Sequence, residues 1–204
     1  MTPAQQRALD ELSAKYALPF RAGAISFVEV FGRKAPVVME IGSGMGETTA
    51  AIAKAHPEID FIAIEVHGPG VGSLLRKLEA EELRNVRVLR HDAVEVFEQM
   101  VPDGSLAGIH LFFPDPWPKK RHHKRRLVQP QFAAVAARKL APGGVLHAVT
   151  DWPDYAERMS AVFGAEAALE PAQCGLTARP QTKFESRGKR LGHPIRELFF
   201  RRKL

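Results

Sequence analysis

The chain has 204 residues, of which 45% are hydrophobic and 25% charged, and this composition fits one ordinary globular domain with a full core. Its apolar stretches are far shorter than the ~18 residues of a membrane helix. The single cysteine, Cys174, excludes an internal disulfide and a cysteine-based metal site. We therefore expect one domain over residues 1–204, in a cytoplasmic protein with no membrane segment.

The net charge of +6 is unevenly distributed along the chain. Residues 1–114 contain 11 Lys and Arg against 15 Asp and Glu, a net of −4, whereas residues 115–204 contain 18 against 8, a net of +10. Solubility alone does not require this segregation. It indicates that the C-terminal part holds a polyanion.

The first 34 residues read as a helical segment without a functional signal. Apolar residues at helical spacing predict an amphipathic helix over Gln5–Tyr16, and Phe27–Phe31 predicts one more helical turn.

Strands and helices then alternate along the chain. The predicted strands are Val37–Gly42, Phe61–Val66, Val86–Leu89, Leu106–Phe113 and Val145–Thr150, followed by a weak strand over Ala165–Leu169 and a last strand over Glu197–Arg202. The predicted helices are Thr48–His56, Gly70–Leu83, Ala93–Met100, Leu127–Leu140 and Pro153–Phe163. This alternation predicts a doubly wound α/β sheet. We expect residues 171–194, which carry no periodic pattern, to be a functional loop within the domain.

Acidic residues fall at the carboxyl ends of five successive predicted strands. They are Glu40, Glu65, Asp92, Asp115 and Asp151. A single acid at such a position would be explained by a solvated turn or by a helix cap. Because ligands of open α/β sheets bind beyond these strand ends, five in succession indicate a binding site.

The glycine turn after the first of these strands contains Gly42, Gly44 and Gly46, which let a ligand approach the backbone. Glu47 stands where a dinucleotide fingerprint requires glycine, and its carboxylate would face a pyrophosphate. Glu65 is placed to accept from the two hydroxyls of a ribose. The set favours an adenosine ligand without phosphates, such as S-adenosylmethionine, although a structural βα turn would also explain the glycines.

Asp115 stands between two prolines that restrict the backbone on both sides, and Trp117 offers a stacking face for a base. A rigid surface turn is the alternative interpretation. Six positive charges and two histidines follow in Lys119–Arg126, where a polyanion would lie beside the acid. His122 and His123 stand among cations and are poor metal ligands, so we expect no metal.

A second polar cluster, Thr182, Lys183, Phe184 and Glu185, lies in the late loop, and its acid could accept from the pairing edge of a guanine.

Together these features favour a nucleic-acid methyltransferase. Three other functions compete with this interpretation. A nicotinamide-dependent dehydrogenase is disfavoured by Glu47. A non-catalytic RNA-binding protein remains open, and a methyltransferase for a small molecule or protein leaves the basic run unexplained.

Six segments of the chain together resemble the bacterial single-chain tRNA (guanine-N7-)-methyltransferases. They are MEIGSGMGETT, AIEVHGPGVGSLLRK, LRHDAVEV, LFFPDPWPKKRHHKRR, HAVTDWPDYA and TKFESRGKRLGH, within about Phe31–Arg202. The PDPW block with its basic run and TKFE are specific, whereas glycine turns are shared by many methyltransferases. Ser43 and Pro118 depart from the residues common in the family.

The resemblance implies a class I S-adenosylmethionine-dependent methyltransferase (Rossmann-like) fold, with a mostly parallel sheet and an antiparallel C-terminal strand. The implied acceptor is N7 of a guanine in tRNA, in particular the variable-loop guanine at tRNA position 46. The choice between a monomer and a homodimer stays open, with the monomer slightly favoured. Asp115 is the implied catalytic residue. The other implied site residues are, for the cofactor, Glu40, Gly42, Gly44, Gly46, Glu65, Asp92 and Asp115; for the substrate, Lys119, Asp151, Thr182, Lys183, Phe184 and Glu185; and for RNA contact, Trp117, Arg121, His122, His123, Lys124, Arg125 and Arg126.

Overall fold

The computed structural model describes residues 1–175, 179 and 194–204. Within this part of the chain, contacts define two compact units, a first made mainly of Met1–Pro102 and a second that begins at Asp103. Helices and strands alternate through both units, so the protein is a mixed α/β structure. None of the described helices is both long enough and apolar enough to cross a membrane.

The first unit contains four parallel strands in the order β1-β4-β3-β2. Their bounds are β1 Ala17–Leu18, β2 Val37–Ile41, β3 Asp60–Ile64 and β4 Val86–Leu89, and the helices are α1 Pro3–Tyr16, α2 Phe27–Phe31, α3 Glu47–Ala55, α4 Gly68–Ala80 and α5 Ala93–Gln99. Every residue of β2 and β3 is buried, which explains why these strands read as continuous apolar runs.

The register of the first unit aligns the carboxyl ends of three strands. Ile41 of β2 pairs with Ile64 of β3, and Ile64 pairs with Leu89 of β4. The residues that follow these positions therefore meet at one edge of the sheet.

The second unit contains β5 Leu106–Phe112, β6 Leu140–Thr150, β7 Leu169–Pro171 and β8 Arg196–Arg202, in the order β5-β6-β8-β7. A 3-10 helix spans Lys120–Arg125, and the α-helices are α6 Pro130–Lys139 and α7 Pro153–Ala165. Strands β5 and β6 are parallel, whereas β8 is antiparallel to both β6 and β7. The predicted mostly parallel arrangement with an antiparallel C-terminal strand is confirmed.

Some predicted boundaries are wrong for physical reasons. Strand β6 begins at Leu140 and not at Val145, because a shift in register near Gly108 lets the Pro-Gly-Gly segment stay in the strand as an irregularity. The weak strand predicted over Ala165–Leu169 is instead the end of α7 and a turn, and the strand itself is Leu169–Pro171.

Candidate active site

The glycine turn between β2 and α3 is left-handed at three positions. Gly42, Gly44 and Gly46 have φ angles of 74°, 56° and 78°, a conformation that glycine adopts without strain. A Cβ added at Gly42 or Gly44 would meet no heavy atom within 4 Å, whereas one at Gly46 would lie 2.6 Å from Leu74 Cδ1. The backbone at Gly42 and Gly44 is therefore open to a ligand, and Gly46 is required for packing.

Glu65, which directly follows β3, holds this turn in place. The Gly44 N–H donates to Glu65 Oε2 at 2.7 Å, and the His67 N–H donates to Oε1 at 2.8 Å. The Gly42 and Ser43 N–H groups donate to the Ile64 carbonyl at 2.8 and 3.2 Å. A carboxylate can accept about four hydrogen bonds, so Glu65 keeps acceptor capacity for hydroxyl groups of a ligand.

Helix α4 packs closely against the same turn. A Cβ added at Gly70 would lie 2.4 Å from the Gly44 carbonyl oxygen and 3.3 Å from Glu65 Cγ. Only glycine fits at this position, so the packing of α4 fixes the depth of the turn.

Glu40 lies inside the first unit and is only 3% exposed. The Thr49 hydroxyl of α3 donates to its Oε2 at 2.6 Å. Burial raises the pKa of Glu40 to about 7; the nearby Glu65 carboxylate acts in the same direction, and the Thr49 hydrogen bond opposes both. Glu40 thus joins β2 to α3 and titrates near neutral pH.

Asp92 caps helix α5. Its Oδ1 accepts from the N–H groups of Val94 at 2.9 Å and Glu95 at 3.2 Å, while the side chain stays exposed. The capping role is therefore observed, and the predicted cofactor contact of Asp92 stays a prediction.

These features of the first unit fit an adenosine-containing ligand that lacks phosphates. The open backbone at Gly42 and Gly44 lets a ligand approach closely. Carboxylates lie at or just beyond the carboxyl ends of three aligned strands. Such acceptors suit hydroxyl and amino groups and would repel a pyrophosphate.

The turn Phe113–Trp117 follows β5 in the second unit and has an unusual backbone. Phe113 and Trp117 have φ angles of 51° and 42°, which are rare for bulky residues and concentrate at functional sites. The Phe113 N–H donates to the Val149 carbonyl of β6 at 2.8 Å. Asp115 stands exposed in the middle of this strained turn.

Arg126 fastens the other end of the turn. Its Nε–H donates to the Pro116 carbonyl at 2.8 Å, its Nη2 donates to Asp154 Oδ2 at 2.5 Å, and the guanidinium lies 4.8 Å from the centre of the Tyr155 ring. The hydrogen bond from Arg126 lowers the pKa of Asp154. Arg126 is only 3% exposed, and its predicted contact with RNA stays a prediction.

The remaining basic run forms the 3-10 helix and stays at the surface. Arg121, Lys124 and Arg125 are exposed, as is Lys119 just before the helix, and His122 and His123 are half-buried. The Arg125 guanidinium lies 5.0 Å from the Trp117 ring centre, and the His122 ring meets the indole edge-on at 6.0 Å. Trp117 is therefore held by a cation and a ring from the same helix.

Asp151 follows β6, and Asp115 follows its parallel neighbour β5. Phe112 pairs with Val149 in this register, so both acids emerge at the same edge of the second unit. Asp151 is half-buried. The predicted substrate residues Thr182, Lys183, Phe184 and Glu185 lie outside the described residues.

Sequence reasoning missed four residues that support the site, namely Thr49, Gly70, Asp154 and Tyr155. Asp154 and Tyr155 belong to the segment DWPDYA and directly follow Pro153 at the start of α7. The sequence singles out that segment, but it does not indicate the contact of these residues with Arg126, which is distant in the chain. Thr49 and Gly70 lie in the segments MEIGSGMGETT and AIEVHGPGVGSLLRK, but the sequence does not indicate their contacts with Glu40 and Gly44.

Comparisons with known proteins agree with this geometry. The sequence model of a family described as "Putative methyltransferase" matches residues 34–198. A tRNA (guanine-N(7)-)-methyltransferase of Aromatoleum aromaticum is 54% identical, over 100% of this chain and 80% of its own length.

Solved structures share the fold at low sequence identity. The 16S rRNA methyltransferase KamB has a TM-score of 0.61 and 18% identity, with 87% of this chain and 93% of the other covered. A 16S rRNA (adenine(1408)-N(1))-methyltransferase from Catenulisporales acidiphilia, solved with SAM, has a TM-score of 0.58 and 16% identity, with 87% and 90% covered. These likenesses establish the class I methyltransferase fold.

Proposed function

The chain belongs to the tRNA (guanine-N7-)-methyltransferase family, and from this membership we propose that it methylates N7 of the variable-loop guanine of tRNA. Transfer of a methyl group to guanine N7 in tRNA is the activity of the family. The PDPW and TKFE segments support the variable loop as the place of methylation. They resemble the corresponding segments of the enzymes that methylate this loop. The observation that carries the function is the identity of 54% over the whole chain.

S-adenosylmethionine is the methyl donor, and it supplies an electrophilic methyl group on a sulfonium. We assign its binding to the first unit, through Glu40, Gly42, Gly44, Gly46, Glu65 and Asp92, with Asp115 also in contact. Glu65 is already oriented by two backbone N–H groups, and its unused lone pairs suit the ribose hydroxyls. The open backbone at Gly42 and Gly44 admits the donor without a side chain in the way.

Guanine N7 has a free lone pair, so no general base has to remove a proton before methyl transfer. Positive charge develops on the purine as the methyl group arrives. A carboxylate held in a fixed position stabilises that charge without reorganisation. Asp115 suits this role because Phe113 and Arg126 fasten both ends of its turn.

The neighbouring residues take positioning roles in this proposal. Asp151 and Glu185 accept from N–H groups on the pairing edge of the guanine, and Lys119 holds the nucleotide. Thr182, Lys183 and Phe184 complete the substrate loop. Trp117 supports a target base that has left its stack, and stacking of this kind contributes ~1–3 kcal/mol. The surface cations Arg121, Lys124 and Arg125, with His122 and His123, contact the tRNA backbone.

The test of the function is incubation with labelled S-adenosylmethionine and unmodified tRNA, followed by mapping of the methylated nucleotide. Label at N7 of the variable-loop guanine is the expected result. Label at N7 of a guanine elsewhere would retain the family activity and overturn the proposed position. Absence of label from guanine would overturn the function itself.

Substitution of Asp115 tests its role directly. We expect Asp115→Asn to keep the shape of the turn, to bind tRNA normally, and to reduce kcat by at least roughly a hundredfold, because one preorganised electrostatic group contributes that much. Single-turnover methyl transfer measures the effect. Glu157→Gln removes another exposed carboxylate, on α7, and serves as the control. A kcat for Asp115→Asn equal to that of the control would refute the assignment.

A further inference from the structure

A polar pocket of about 280 Å³ lies in the second unit, and neither Asp115 nor Asp151 lines it. Its walls come from the 3-10 helix, the residue before α6, and α7, and the lining residues are His123, Lys124, Arg126, Gln129 and Arg158. None of these side chains is aliphatic, and none is Phe, Tyr or Trp. The pocket therefore suits a charged ligand better than an apolar group or a base.

The charge of the pocket is positive. Asp154 neutralises Arg126 through the 2.5 Å contact with Nη2 and lies 3.9 Å from His123 Nε2. Lys124 and Arg158, in contrast, form no ion pair with any acid in the described part of the chain. Two uncompensated cations thus face a small polar space.

Gln129 holds Arg158 in place without reducing its charge. The Gln129 Nε2 group donates to the carbonyls of His123 at 3.1 Å and Arg126 at 3.2 Å. Because these two carbonyls require the amide NH₂, the Gln129 oxygen is directed to Arg158, whose Nη2 donates to it at 3.1 Å. The guanidinium is thereby positioned in advance, and its other N–H groups remain to bind a ligand.

We propose that this pocket binds one phosphodiester of the RNA backbone, through Arg158 and Lys124. The proposal rests on the proposed function, which makes the substrate a tRNA. An arginine guanidinium matches two phosphate oxygens with parallel N–H groups, and a lysine adds a point charge. The tRNA contact surface thus extends from the basic run onto α7, to a residue that no motif singled out.

The experiment measures the affinity of the full chain for unmodified tRNA as a function of salt concentration. Each phosphate contact contributes about 0.7–0.9 to the slope of log affinity against log salt. We expect Arg158→Ala to reduce the slope by that amount and to weaken binding about fivefold to tenfold at 0.1 M salt, with unchanged affinity for S-adenosylmethionine. Gln129→Ala leaves Lys124 and Arg158 in place, so it is expected to weaken tRNA binding less than Arg158→Ala does.

Arg76→Ala is the matched control, since it removes one exposed arginine on α4 and the same net charge. Equal slopes for Arg158→Ala and Arg76→Ala would overturn the proposal. If Arg158→Ala lowers the melting temperature, the comparison is repeated with Arg158→Gln. That variant must show the same reduced salt slope. Wild-type protein that methylates no tRNA would instead overturn the proposed function, so the two failures are distinguishable.

Discussion

At the scale of single residues, neighbours in one basic run have opposite environments. Arg125 is exposed and lies over Trp117, whereas the next residue, Arg126, is 3% exposed and bonded to Pro116 and Asp154. The difference arises because the 3-10 helix ends at Arg125 and turns the following side chain toward α7. A run of like charges therefore combines exposed cations with internal support of the turn that carries Asp115.

Replacement of Arg126 separates these two roles. Arg126→Ala leaves the Pro116 carbonyl and Asp154 without their donor, so we expect a loss of about 1–3 kcal/mol in the free energy of unfolding. A displaced turn should lower kcat roughly tenfold to a hundredfold, while the salt slope of tRNA binding stays unchanged. Arg126→Lys keeps the charge and one donor and should recover part of kcat. A reduced salt slope with normal kcat would show that Arg126 is an RNA contact after all.

At the scale of elements, the glycine turn of the first unit is shaped by helix α4, which lies outside the turn. Gly70 lets α4 approach the Gly44 carbonyl, and Glu65 ties the Gly44 N–H to the end of β3. The turn is therefore held between a helix and a strand end. Its shape does not depend on its own glycines alone.

A methyl group at Gly70 tests this packing. Gly70→Ala places Cβ 2.4 Å from the Gly44 oxygen, so the turn or the helix must shift. We expect at least tenfold weaker binding of S-adenosylmethionine and a lower melting temperature. Gly164→Ala, also inside a helix, meets no atom within 4 Å and should leave binding unchanged and stability equal or up to about 1 kcal/mol higher. Calorimetric titration measures the affinity of each variant for S-adenosylmethionine, and thermal unfolding measures its stability. Equal affinities for the two variants would contradict the inferred role of Gly70 in shaping the turn.

At the scale of the whole molecule, the stability depends on pH through one buried acid, Glu40. Glu40 has a pKa of about 7 in the folded protein, against an ordinary value of 4.5. The folded state therefore keeps this proton over a range of pH in which the unfolded state has released it. Stability must fall as pH rises from near 4.5 to near 7, and it levels off above that.

Glu40→Gln should remove this part of the pH dependence. The wild type is expected to lose on the order of 3 kcal/mol across the interval relative to the variant, because each pKa unit corresponds to about 1.4 kcal/mol. Chemical denaturation at pH 5, 6, 7 and 8 measures the difference. Glu157→Gln removes an exposed carboxyl and keeps Glu40, so it should follow the wild type. Parallel profiles for the wild type and Glu40→Gln would show that Glu40 does not carry the effect.

The sequence by itself determined the alternation of strands and helices, the acids at strand ends, the glycine turn and the family. These features depend on local periodicity, on turn residues and on short motifs, which are readable without knowledge of distant partners. Only the tertiary structure decided that Gly42 and Gly44 are open while Gly46 is packed, that Arg126 is buried, and that Gln129 orients Arg158. Each of these depends on a residue far along the chain, since burial and hydrogen bonding are properties of pairs that folding brings together.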